Sequence, residues 1–329
     1  MAAGLAASVG MRALSLASGQ RLSILIFHRV LAAPDALFPA EVDAARFDRL
    51  MALVARSFNV LTLADAVRRL GQGNLPPRAL CITFDDGYAD NHDIALPILQ
   101  RHGLSACFFI ATGFLDGGRM FNDSVIECVR RSSAKRIDLA EFGLGVFDLG
   151  TPQRCVAAIS TLLPVIKYMG PAQRQAALQR LQQHCQPSPL PNDMMMTRAQ
   201  VRAMHAAGME IGAHTVQHPI LNLVDDAEAE RELADSRSLL QNLIDHPVAL
   251  FAYPNGRPDK DYGHRHAVIA ARLGFAGAVS TAPGVAAPGS DVFQLPRFTP
   301  WDMSPVPWLA RLVAKRRGGP FQIARPATA

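Results

Sequence analysis

Short apolar runs alternate with longer amphipathic stretches along most of this chain. Runs of apolar and β-branched residues predict strands at 22–28, 58–62, 79–84, 105–111, 209–213, 248–252, 275–280 and 292–297. Apolar residues three and four positions apart predict helices at 44–56, 63–70, 91–102, 227–244 and 264–273. Repeated strand and helix units favour a parallel sheet covered by helices, so the pattern predicts an α/β fold.

Residues with chemically useful side chains follow several of the predicted strands. They are His28, Asp85, Asp86, His214, Tyr253 and Arg297. In a closed barrel of β/α units the C-terminal ends of all strands meet at one face, whereas an open doubly wound sheet places its site at one switch point. A site that draws on so many strand ends therefore predicts the closed barrel.

The segment Thr83–Tyr88 places two adjacent carboxylates directly after a buried strand, and Gly87 follows them. Successive side chains of a strand point to opposite faces, so Asp85 and Asp86 serve different roles unless the chain turns, and Gly87 permits a turn. Two ionised carboxylates this close repel unless a cation or a proton lies between them. A metal ion is the simplest explanation, and the alternative is a polar turn without a ligand.

Two histidines supply further ligands for such an ion. His214 and His218 follow the predicted strand 209–213 and are four residues apart, a spacing that places both imidazoles on one side of a helical turn. With one carboxylate of the aspartate pair they form a three-ligand site, which leaves a position open for water or substrate and indicates catalysis. Seven further histidines have no partner at ligand spacing after a strand, so we interpret them as ordinary surface or core residues; they are His92, His102, His184, His205, His246, His264 and His266.

These motifs resemble those of the polysaccharide deacetylases with a NodB-type homology domain, a family of metal-dependent carbohydrate esterases. Thr83–Tyr88 corresponds to the family's first motif and His214–His218 to its second. The resemblance implies a distorted (β/α)7 barrel, with Asp85 as general base and with Asp86 as a ligand of one divalent metal ion beside the two histidines. Zinc suits this ligand set, and cobalt or nickel also fit, because affinity order alone does not determine the metal.

Two later motifs of this family are altered in this chain. Ala252–Gly256 lacks the arginine that orients the base, and Leu295–Arg297 ends in arginine where the family has its general-acid histidine. The run 22–28 ends in a Phe-His pair and resembles the N-terminal strand that carries the acid histidine in the poly-N-acetylglucosamine deacetylase branch. We hypothesise that His28 is the general acid and that Arg297 orients Asp85. The alternative is that His28 caps a strand by hydrogen bonding.

The resemblance implies hydrolysis of N-acetyl groups, with O-acetyl groups as the lesser alternative, on an amino-sugar polysaccharide or glycan of exopolysaccharide or cell-envelope metabolism. In this mechanism Asp85 takes a proton from the attacking water and His28 protonates the departing amine. The backbone N–H of Tyr88 is a candidate for binding the oxyanion, and Tyr253 for contacting substrate. Two alternatives are a catalytically silent carbohydrate-binding protein on the same barrel and a metal-dependent C–N hydrolase of small amides.

The spacing of the predicted elements divides the chain into segments. Residues 1–20 are predicted as an N-terminal helical extension, 21–310 as the barrel domain, and 311–329 as a basic C-terminal helix with a tail. A stretch at about 116–195 is too long for one connection between strands and contains three helical patterns, so we predict a helical insertion that walls the cleft. Thr197 and Gln200 predict a capping box at the start of the next barrel helix, which Gly208 ends.

Charge and cysteine content limit the remaining classes. The net charge is +5, from 33 basic and 28 acidic residues, and the chain has no recognised nucleic-acid-binding module. Arg311–Arg317 follows a basic amphipathic pattern, for which we expect a solvated helix and for which weak contact with an anionic membrane surface is the alternative. Five scattered cysteines argue against a disulfide framework.

The sequence bears on location only through its apolar segments. No apolar run is long enough to span a bilayer, and the first 16 residues lack a basic region before their apolar part. These features favour a cytoplasmic protein. Since the deacetylase branch that the chain resembles is exported, the alternatives are a periplasmic or membrane-associated location, and the oligomeric state is left open.

Overall fold

The computed structural model describes residues 20–186, 188–300, 305–317 and 321–326 of the 329-residue chain. These residues fall into two compact units. The first takes the described residues of Met1–Ala33, Val42–Leu115 and Met196–Ala329, and the second takes those of Pro34–Glu41 and Asp116–Met195. The predicted N-terminal helix at 1–20 lies outside the described residues except for its last position.

Strands and helices alternate through the described chain. The strands are β1 (Ser23–Phe27), β2 (Asn59–Val60), β3 (Ala79–Phe84), β4 (Cys107–Ile110), β5 (Arg136–Asp138), β6 (Val146–Asp148), β7 (Glu210–Ala213), β8 (Leu250–Ala252), β9 (Gly277–Pro283) and β10 (Leu295–Arg297). The α-helices are α1 (Ala44–Ser57), α2 (Leu63–Gln72), α3 (Leu96–Arg101), α4 (Phe121–Arg130), α5 (Pro152–Lys167), α6 (Pro171–Cys185), α7 (Arg198–Ala206), α8 (Asp226–Ile244), α9 (His264–Arg272) and α10 (Pro305–Arg317). A π-turn at Asn91–Ala95 leads directly into α3.

Seven parallel strands of the first unit close into a barrel. Their hydrogen-bonded order is β1, β3, β4, β7, β8, β9 and β10, and β2 pairs with the start of β3. Beyond β10, the Phe298 N–H donates to the Ile24 carbonyl of β1 at 2.7 Å, and the Ile26 N–H donates to the Phe298 carbonyl at 3.1 Å. These bonds join the last strand to the first. The predicted distorted (β/α)7 barrel is therefore confirmed.

Each strand of this barrel was predicted, but β2 and β10 are much shorter than expected. They have 2 and 3 residues. β10 begins only at Leu295 because the preceding residues form a turn, in which the Asp291 carboxylate accepts the Phe293 N–H at 2.9 Å. The pairing of β10 with β9 also shifts register between Leu295 and Arg297. This irregularity distorts the barrel next to Arg297.

Alternate residues of each strand face the barrel interior and the surrounding helices. On β3, Cys81 belongs to the interior cluster, which joins residues of several strands and of helix α2, whereas Leu80 and Ile82 pack into the outer cluster with residues of α1, α7 and α8. On β1, Ile24 is interior and Leu25 is exterior. Because side chains alternate along a strand, counting from these positions assigns every strand-end residue to one face or the other.

Helix α7 begins where the sequence predicts. The Thr197 hydroxyl accepts the Gln200 N–H at 3.2 Å, and the Gln200 side chain accepts the Thr197 N–H at 2.8 Å, so the predicted capping box is confirmed. Gly208, which follows the helix, has a left-handed φ of +83°. This residue ends the helix and leads the chain into β7, directly before His214.

The C-terminal helix α10 packs against the barrel. Trp308 is buried and meets the Phe58 ring edge-on, with a centroid distance of 6.0 Å. Arg316 is also buried, and its guanidinium donates to the Ser23 hydroxyl at 2.8 Å and to the Ala79 carbonyl at 3.3 Å. These two acceptors lie at the N-terminal ends of β1 and β3. The expectation of a solvated basic helix is therefore wrong for Arg316.

Within residues 321–326, which follow α10, the chain is packed as well. The boundary predicted at 310 falls inside this helix, which begins at Pro305. Ala324 is buried, its N–H donates to the Gln294 side chain at 2.7 Å, and its carbonyl accepts from the same side chain at 3.1 Å. Arg316 is not available for the predicted membrane contact, whereas Lys315 is exposed. Membrane contact through this helix stays a prediction.

The second unit has its own hydrophobic core. Helices α4, α5 and α6 occupy the three stretches with predicted helical patterns. Their apolar faces meet in one cluster that includes Val125, Ile159 and Leu181. The antiparallel hairpin of β5 and β6 was not predicted. Each strand has only 3 residues, and of these residues only Ile137 is buried in the core, so the sequence shows no clear strand pattern.

Two properties complete the description of the fold. The five cysteines all lie within the described residues and are free. Of the helices in the described ranges, none combines the length and the apolar character that crossing a bilayer requires.

Candidate active site

The C-terminal ends of the barrel strands carry the predicted site residues. His28 follows β1, Asp85 follows β3, His214 follows β7, and Arg297 ends β10. Each lies an even number of residues after an interior position of its strand. Because side chains alternate along a strand, all four residues are at positions that face the barrel interior. The closed parallel sheet thus gathers residues from four separate strands at one end of the barrel.

The turn after β3 separates the two aspartates. Asp86 and Gly87 both adopt the left-handed backbone conformation, with φ of +77° and +87°. The left-handed conformation favours glycine at position 87, and a Cβ there would make a tight contact of 3.2 Å with Cγ2 of Ile110. The predicted turn at Gly87 is confirmed. It directs the carboxylates of Asp85 and Asp86 to different partners.

Arg297 holds Asp85 in a buried ion pair. Its Nη1 and Nη2 donate to Oδ1 and Oδ2 of Asp85, each at 2.6 Å, and the two residues are 1% and 2% exposed. Two further bonds fix the guanidinium, from Nη1 to the Thr83 hydroxyl at 3.1 Å and from Nε to the Ser280 carbonyl at 2.9 Å. The structure thus brings Arg297 to Asp85, the pairing on which the hypothesis of base orientation depends.

The surrounding charges keep both aspartates ionised. Burial opposes ionisation of Asp85, but the charge of Arg297, with smaller contributions from His214 and His28, holds its pKa below the ordinary value. Burial also opposes ionisation of Asp86, and its contacts with the two histidines lower its pKa nevertheless. Both carboxylates are therefore anionic at neutral pH, in a form able to accept a proton or to bind a cation.

Asp86, His214 and His218 form a group suited to a metal ion. One ligand atom of each lies within 4.8 Å of the others, and no second group of this kind occurs in the described residues. Asp86 Oδ1 lies 3.3 Å from His214 Nε2 and 3.4 Å from His218 Nε2. His214 Nδ1 lies 2.7 Å from the Ala252 carbonyl and donates its proton there, so Nε2, which faces Asp86, is the ring atom that can bind a cation once it has lost its own proton.

The protonation of the two histidines is consistent with such a cation. Burial lowers the pKa of His218 to about 3, so its ring is neutral and offers a lone pair. Burial also acts against a charge on His214, but its hydrogen bond to Asp86 and the nearby carboxylates raise its pKa. A cation would displace that proton. Two imidazoles and one carboxylate leave a fourth position open, which fits a catalytic divalent metal.

The segment that carries the two histidines is not the predicted helical turn. Thr215 and His218 adopt left-handed backbone conformations, with φ of +63° and +52°. The Glu232 carboxylate of α8 accepts the N–H groups of Val216 and Gln217, both at 2.8 Å. The Thr215 hydroxyl accepts the His218 N–H at 3.0 Å. Side chains, rather than helical hydrogen bonds, therefore hold the loop on which the imidazoles converge.

His28 lies close to this cluster and remains exposed. The Asp85 N–H donates to the carbonyl of Phe27 at 3.0 Å, so His28 directly follows a residue that is hydrogen-bonded to the Asp85 backbone. The His28 backbone carbonyl accepts the Asn91 side-chain amide at 2.9 Å. The structure thus places His28 beside the Asp85 segment in a solvent-exposed position, and its role as general acid stays a prediction.

The two predicted tyrosines do not both belong to the site. The Tyr253 hydroxyl donates to the Phe293 carbonyl at 2.8 Å, and its ring stacks on Tyr262 at 3.9 Å with 0% exposure. Tyr253 follows the outward residue Phe251 by two positions, so it packs outside the barrel. This corrects the predicted substrate contact. Tyr88 is buried beneath the Arg29 guanidinium, and the oxyanion role of its backbone N–H stays a prediction.

Three groups that shape the site were not identified from the sequence. Thr83 braces Arg297, the Ala252 carbonyl sets the tautomer of His214, and Glu232 holds the histidine loop. Thr83 could have been identified from the sequence, because it is a polar residue within an otherwise apolar strand and lies on the same face as Asp85. The other two had none, since a carbonyl is common to all residues and Glu232 is one charge among many on α8.

Sequence comparisons identify relatives of this chain. The polysaccharide deacetylase family model matches residues 72–139 and 167–277, which is more than half of the chain and includes both aspartates and both histidines of the site. The Bacillus subtilis (strain 168) protein YxkH, which carries the polysaccharide deacetylase name, is 22% identical over 278 residues, covering 84% of this chain and 70% of YxkH.

Solved structures show a similar fold. IcaB from Ammonifex degensii superposes with a TM-score of 0.57 at 18% identity, covering 92% of this chain and 99% of IcaB. Streptococcus pyogenes deacetylase PplD, solved in complex with acetate, gives a TM-score of 0.56 at 21% identity, covering 85% of this chain and 92% of PplD. The fold, the site and the family match agree. The chain belongs to the polysaccharide deacetylase family, whose members are hydrolases.

Proposed function

We propose that this protein is a divalent-metal-dependent deacetylase that hydrolyses N-acetyl groups of an amino-sugar polysaccharide or glycan. It is thus a hydrolase of carbon–nitrogen bonds other than peptide bonds, acting in exopolysaccharide or cell-envelope metabolism. The proposal rests on one observation, that two adjacent carboxylates lie in different environments. Asp86 faces His214 and His218, whereas Asp85 is held by Arg297 and is left for proton transfer.

Asp86, His214 and His218 would hold the cation, and zinc suits these ligands, with cobalt and nickel as alternatives. When bound, such a cation polarises the acyl carbonyl and lowers the pKa of a water molecule from about 15.7 towards about 7. The Ala252 carbonyl and Glu232 keep the ligand side chains in place for it. The donor set therefore supports a catalytic rather than a structural metal, because three protein ligands leave one position open.

Asp85 acts as the general base in this proposal. Its pKa is below the ordinary value, so it is ionised throughout the neutral range and ready to accept a proton from the attacking water. A carboxylate paired with arginine is a weak base, and it therefore removes a proton only from water that has been made acidic. The bidentate contact with Arg297 fixes the direction of the carboxylate, so that its remaining lone pairs face the reaction.

His28 donates the second proton. Cleavage of the C–N bond of the tetrahedral intermediate releases a sugar amine, which leaves readily only after its nitrogen has been protonated. His28 is exposed and follows β1 at a position whose side chain is expected to point inward. Arg297 ends β10, the strand that lies next to β1 where the barrel closes. The backbone N–H of Tyr88 is assigned to the oxyanion. An O-acetyl ester needs less help from the acid, because its oxygen leaving group is better.

The proposal is tested by acetate release. The metal-free protein is reconstituted with zinc, cobalt or nickel and incubated with N-acetylglucosamine oligomers, and acetate and new amines are counted together. We expect equal amounts of both products in the metal-loaded protein. Asp85→Asn keeps the metal and loses turnover by about 10³-fold or more, whereas Asp86→Asn loses metal affinity.

Two other results would favour the alternatives. A protein that binds metal yet releases no acetate from amino-sugar polymers, lipid-linked glycans or peptidoglycan is a carbohydrate-binding protein on the same barrel. Turnover of small amides or cyclic ureides in place of glycans would identify a different C–N hydrolase. Either result overturns the proposed substrate.

A further inference from the structure

Two neighbouring side chains fasten the loop that carries His28. The Asn91 side-chain amide donates to the His28 carbonyl at 2.9 Å. The Asp90 carboxylate accepts the Arg29 side-chain Nε at 2.8 Å and the Val30 N–H at 3.2 Å. Three consecutive residues after β1 are thus bound by two consecutive residues that are 60 or more positions later in the chain.

The two residues that make these hydrogen bonds are buried, and their contacts define the orientation of the Asn91 amide. Asn91 is 0% exposed and Asp90 is 9% exposed. The Asn91 amide nitrogen also lies 3.1 Å from Asp90 Oδ1, so it faces two acceptors and must be the nitrogen rather than the oxygen of the amide. Asn91 begins the π-turn before α3. Such turns occur often at functional sites, because the extra residue redirects side chains of the helix start.

His28 needs a support of this kind. Its side chain is exposed, so packing against neighbouring side chains constrains the ring less than it would at a buried position. The backbone on either side of it therefore decides where the imidazole lies. Asp90 and Asn91 come four and five residues after Asp86, in the same turn region as both aspartates. They tie the proton donor on one strand to the segment that carries the base and a metal ligand.

We propose that Asp90 and Asn91 are positioning residues that hold His28 at the distance from the acyl group required for proton delivery to the leaving amine. This inference rests on the proposed function, in which His28 is the general acid. The two residues do not touch the reacting atoms. They act through the His28 backbone.

The proposal predicts a dependence on the leaving group. In amide hydrolysis the C–O bond forms from water, the C–N bond breaks, and the amine nitrogen takes its proton from His28. In hydrolysis of 4-nitrophenyl acetate the C–O bond to the phenol breaks, and 4-nitrophenolate leaves as a stable anion without a donated proton. Loss of proton delivery therefore slows the amide reaction and spares the ester reaction.

The experiment compares both substrates in the metal-loaded protein. Asn91→Asp replaces the amide donor by a carboxylate that repels the His28 carbonyl and Asp90. We expect kcat for the N-acetyl substrate to fall by about 10-fold or more, with a smaller change in KM and with ester turnover retained. His28→Ala gives the same selective pattern. In the His28→Ala background, Asn91→Asp causes no additional loss, because its effect passes through the missing ring.

A matched control is available at the other end of the barrel. The exposed Asn59, the first residue of β2, donates its side-chain amide to the Pro77 carbonyl at 2.6 Å, so Asn59→Asp makes the same chemical change away from the site. We expect both activities of this variant to match those of the wild type. Asn91→Ala serves as the second variant if Asn91→Asp does not fold, and its selective loss of amide turnover is expected to be the same.

Two results would overturn the inference. Equal loss of amide and ester turnover in the Asn91 variants, beside a selective loss in His28→Ala, shows that Asn91 does not act through His28. If the wild type releases no acetate from any N-acetyl substrate, the proposed function fails separately. In that case, hydrogen exchange at the Val30 amide, which donates to Asp90, tests whether Asn91 helps to hold the segment after β1. Faster exchange in the Asn91 variants supports the fastening, and unchanged exchange refutes it.

Discussion

The ion pair between Arg297 and Asp85 is the contact whose removal has the clearest consequence. Arg297→Met keeps an unbranched apolar stem and deletes the guanidinium. It removes four hydrogen bonds, two of them to Asp85. Removing one partner of a buried ion pair typically costs about 3–5 kcal/mol of folding free energy, because the remaining charge is buried without a counter-ion. We expect a loss of this size in the metal-loaded variant.

The same substitution reverses the pKa shift of the base. In the wild type, burial opposes ionisation of Asp85, and the charge of Arg297 more than offsets burial, so the pKa lies below its ordinary value. Without Arg297 burial dominates, and fully buried carboxyl groups have pKa values raised by up to about 3–5 units. The base is then protonated as the pH falls through the raised pKa. We therefore expect the acidic limb of kcat/KM to move upward by at least about 1 pH unit.

The assay measures kcat/KM for acetate release between about pH 5 and about pH 9, at saturating metal, together with unfolding by urea. Arg316→Met is the matched control. Arg316 is a buried arginine at the N-terminal end of the barrel strands, where it donates to the Ser23 hydroxyl and the Ala79 carbonyl. Its loss is expected to lower the free energy of unfolding and to leave the acidic limb in place.

One outcome would refute the reasoning. If Arg297→Met is folded and binds metal, and its acidic limb coincides with those of the wild type and Arg316→Met, then Arg297 does not set the ionisation of the base. An inactive Asp85→Asn variant in the same experiment would show that Asp85 is needed even so. Base orientation by Arg297 would then be wrong.

Three further predictions follow from other contacts. Glu232→Ala removes the acceptor of two N–H groups in the histidine loop, and the metal dissociation constant should rise by about 10–100-fold in a chelator competition. Burial lowers the pKa of His266 to about 4. Between about pH 6.5 and about pH 4 the unfolded chain therefore binds a proton at this residue that the folded chain does not bind, and the free energy of unfolding decreases as the pH falls through this range. At about pH 5 this amounts to about 2 kcal/mol, which His266→Asn should abolish in urea unfolding. Tyr253→Phe should cost about 1 kcal/mol of stability and leave kcat and KM unchanged.

Each of these predictions has its own control. Glu230→Ala, on the same helix, breaks a surface ion pair with Arg272 and should leave metal affinity intact. An unchanged metal affinity in folded Glu232→Ala would show that the loop holds its shape without that carboxylate. For His266→Asn, a loss of stability between neutral and acid pH equal to that of the wild type contradicts the assignment. A drop in kcat in Tyr253→Phe would restore Tyr253 to the site.

The helical turn predicted for the histidines shows how a correct ligand assignment can rest on a wrong local geometry. Spacing of four residues is compatible with a helical turn and also with other loops. The chain adopts left-handed conformations at Thr215 and His218 instead. Each such residue costs about 1–2 kcal/mol in isolation, and the loop persists because Glu232 and neighbouring backbone groups bind it. Those partners are distant in sequence, so the local pattern gave no sign of them.

Tyr253 shows a second point that the structure decided. Phe251 is an outward residue of β8, and side chains alternate along a strand, so Tyr253 faces outward and Ala252 inward. Residues 248–252 are all apolar, so the sequence alone does not show which face of this strand points inward. It does not reveal the Ala252 carbonyl either, because hydrogen bonds of the backbone carry no sequence signature.

The sequence by itself determined the alternation of strands and helices, the turn at Gly87, and the identity of Asp86, His214 and His218 as neighbours of one site. These features depend on local conformational preference and on the chemistry of residue types. The resemblance to a known family suggested that Arg297 orients Asp85, but only the tertiary structure showed that the two residues, 212 positions apart, are in contact, and that Asn91 reaches back to His28. Both contacts exist only because β10 closes onto β1 and β1 lies beside β3, and the closure of a barrel is a property of the whole sheet that no local pattern encodes.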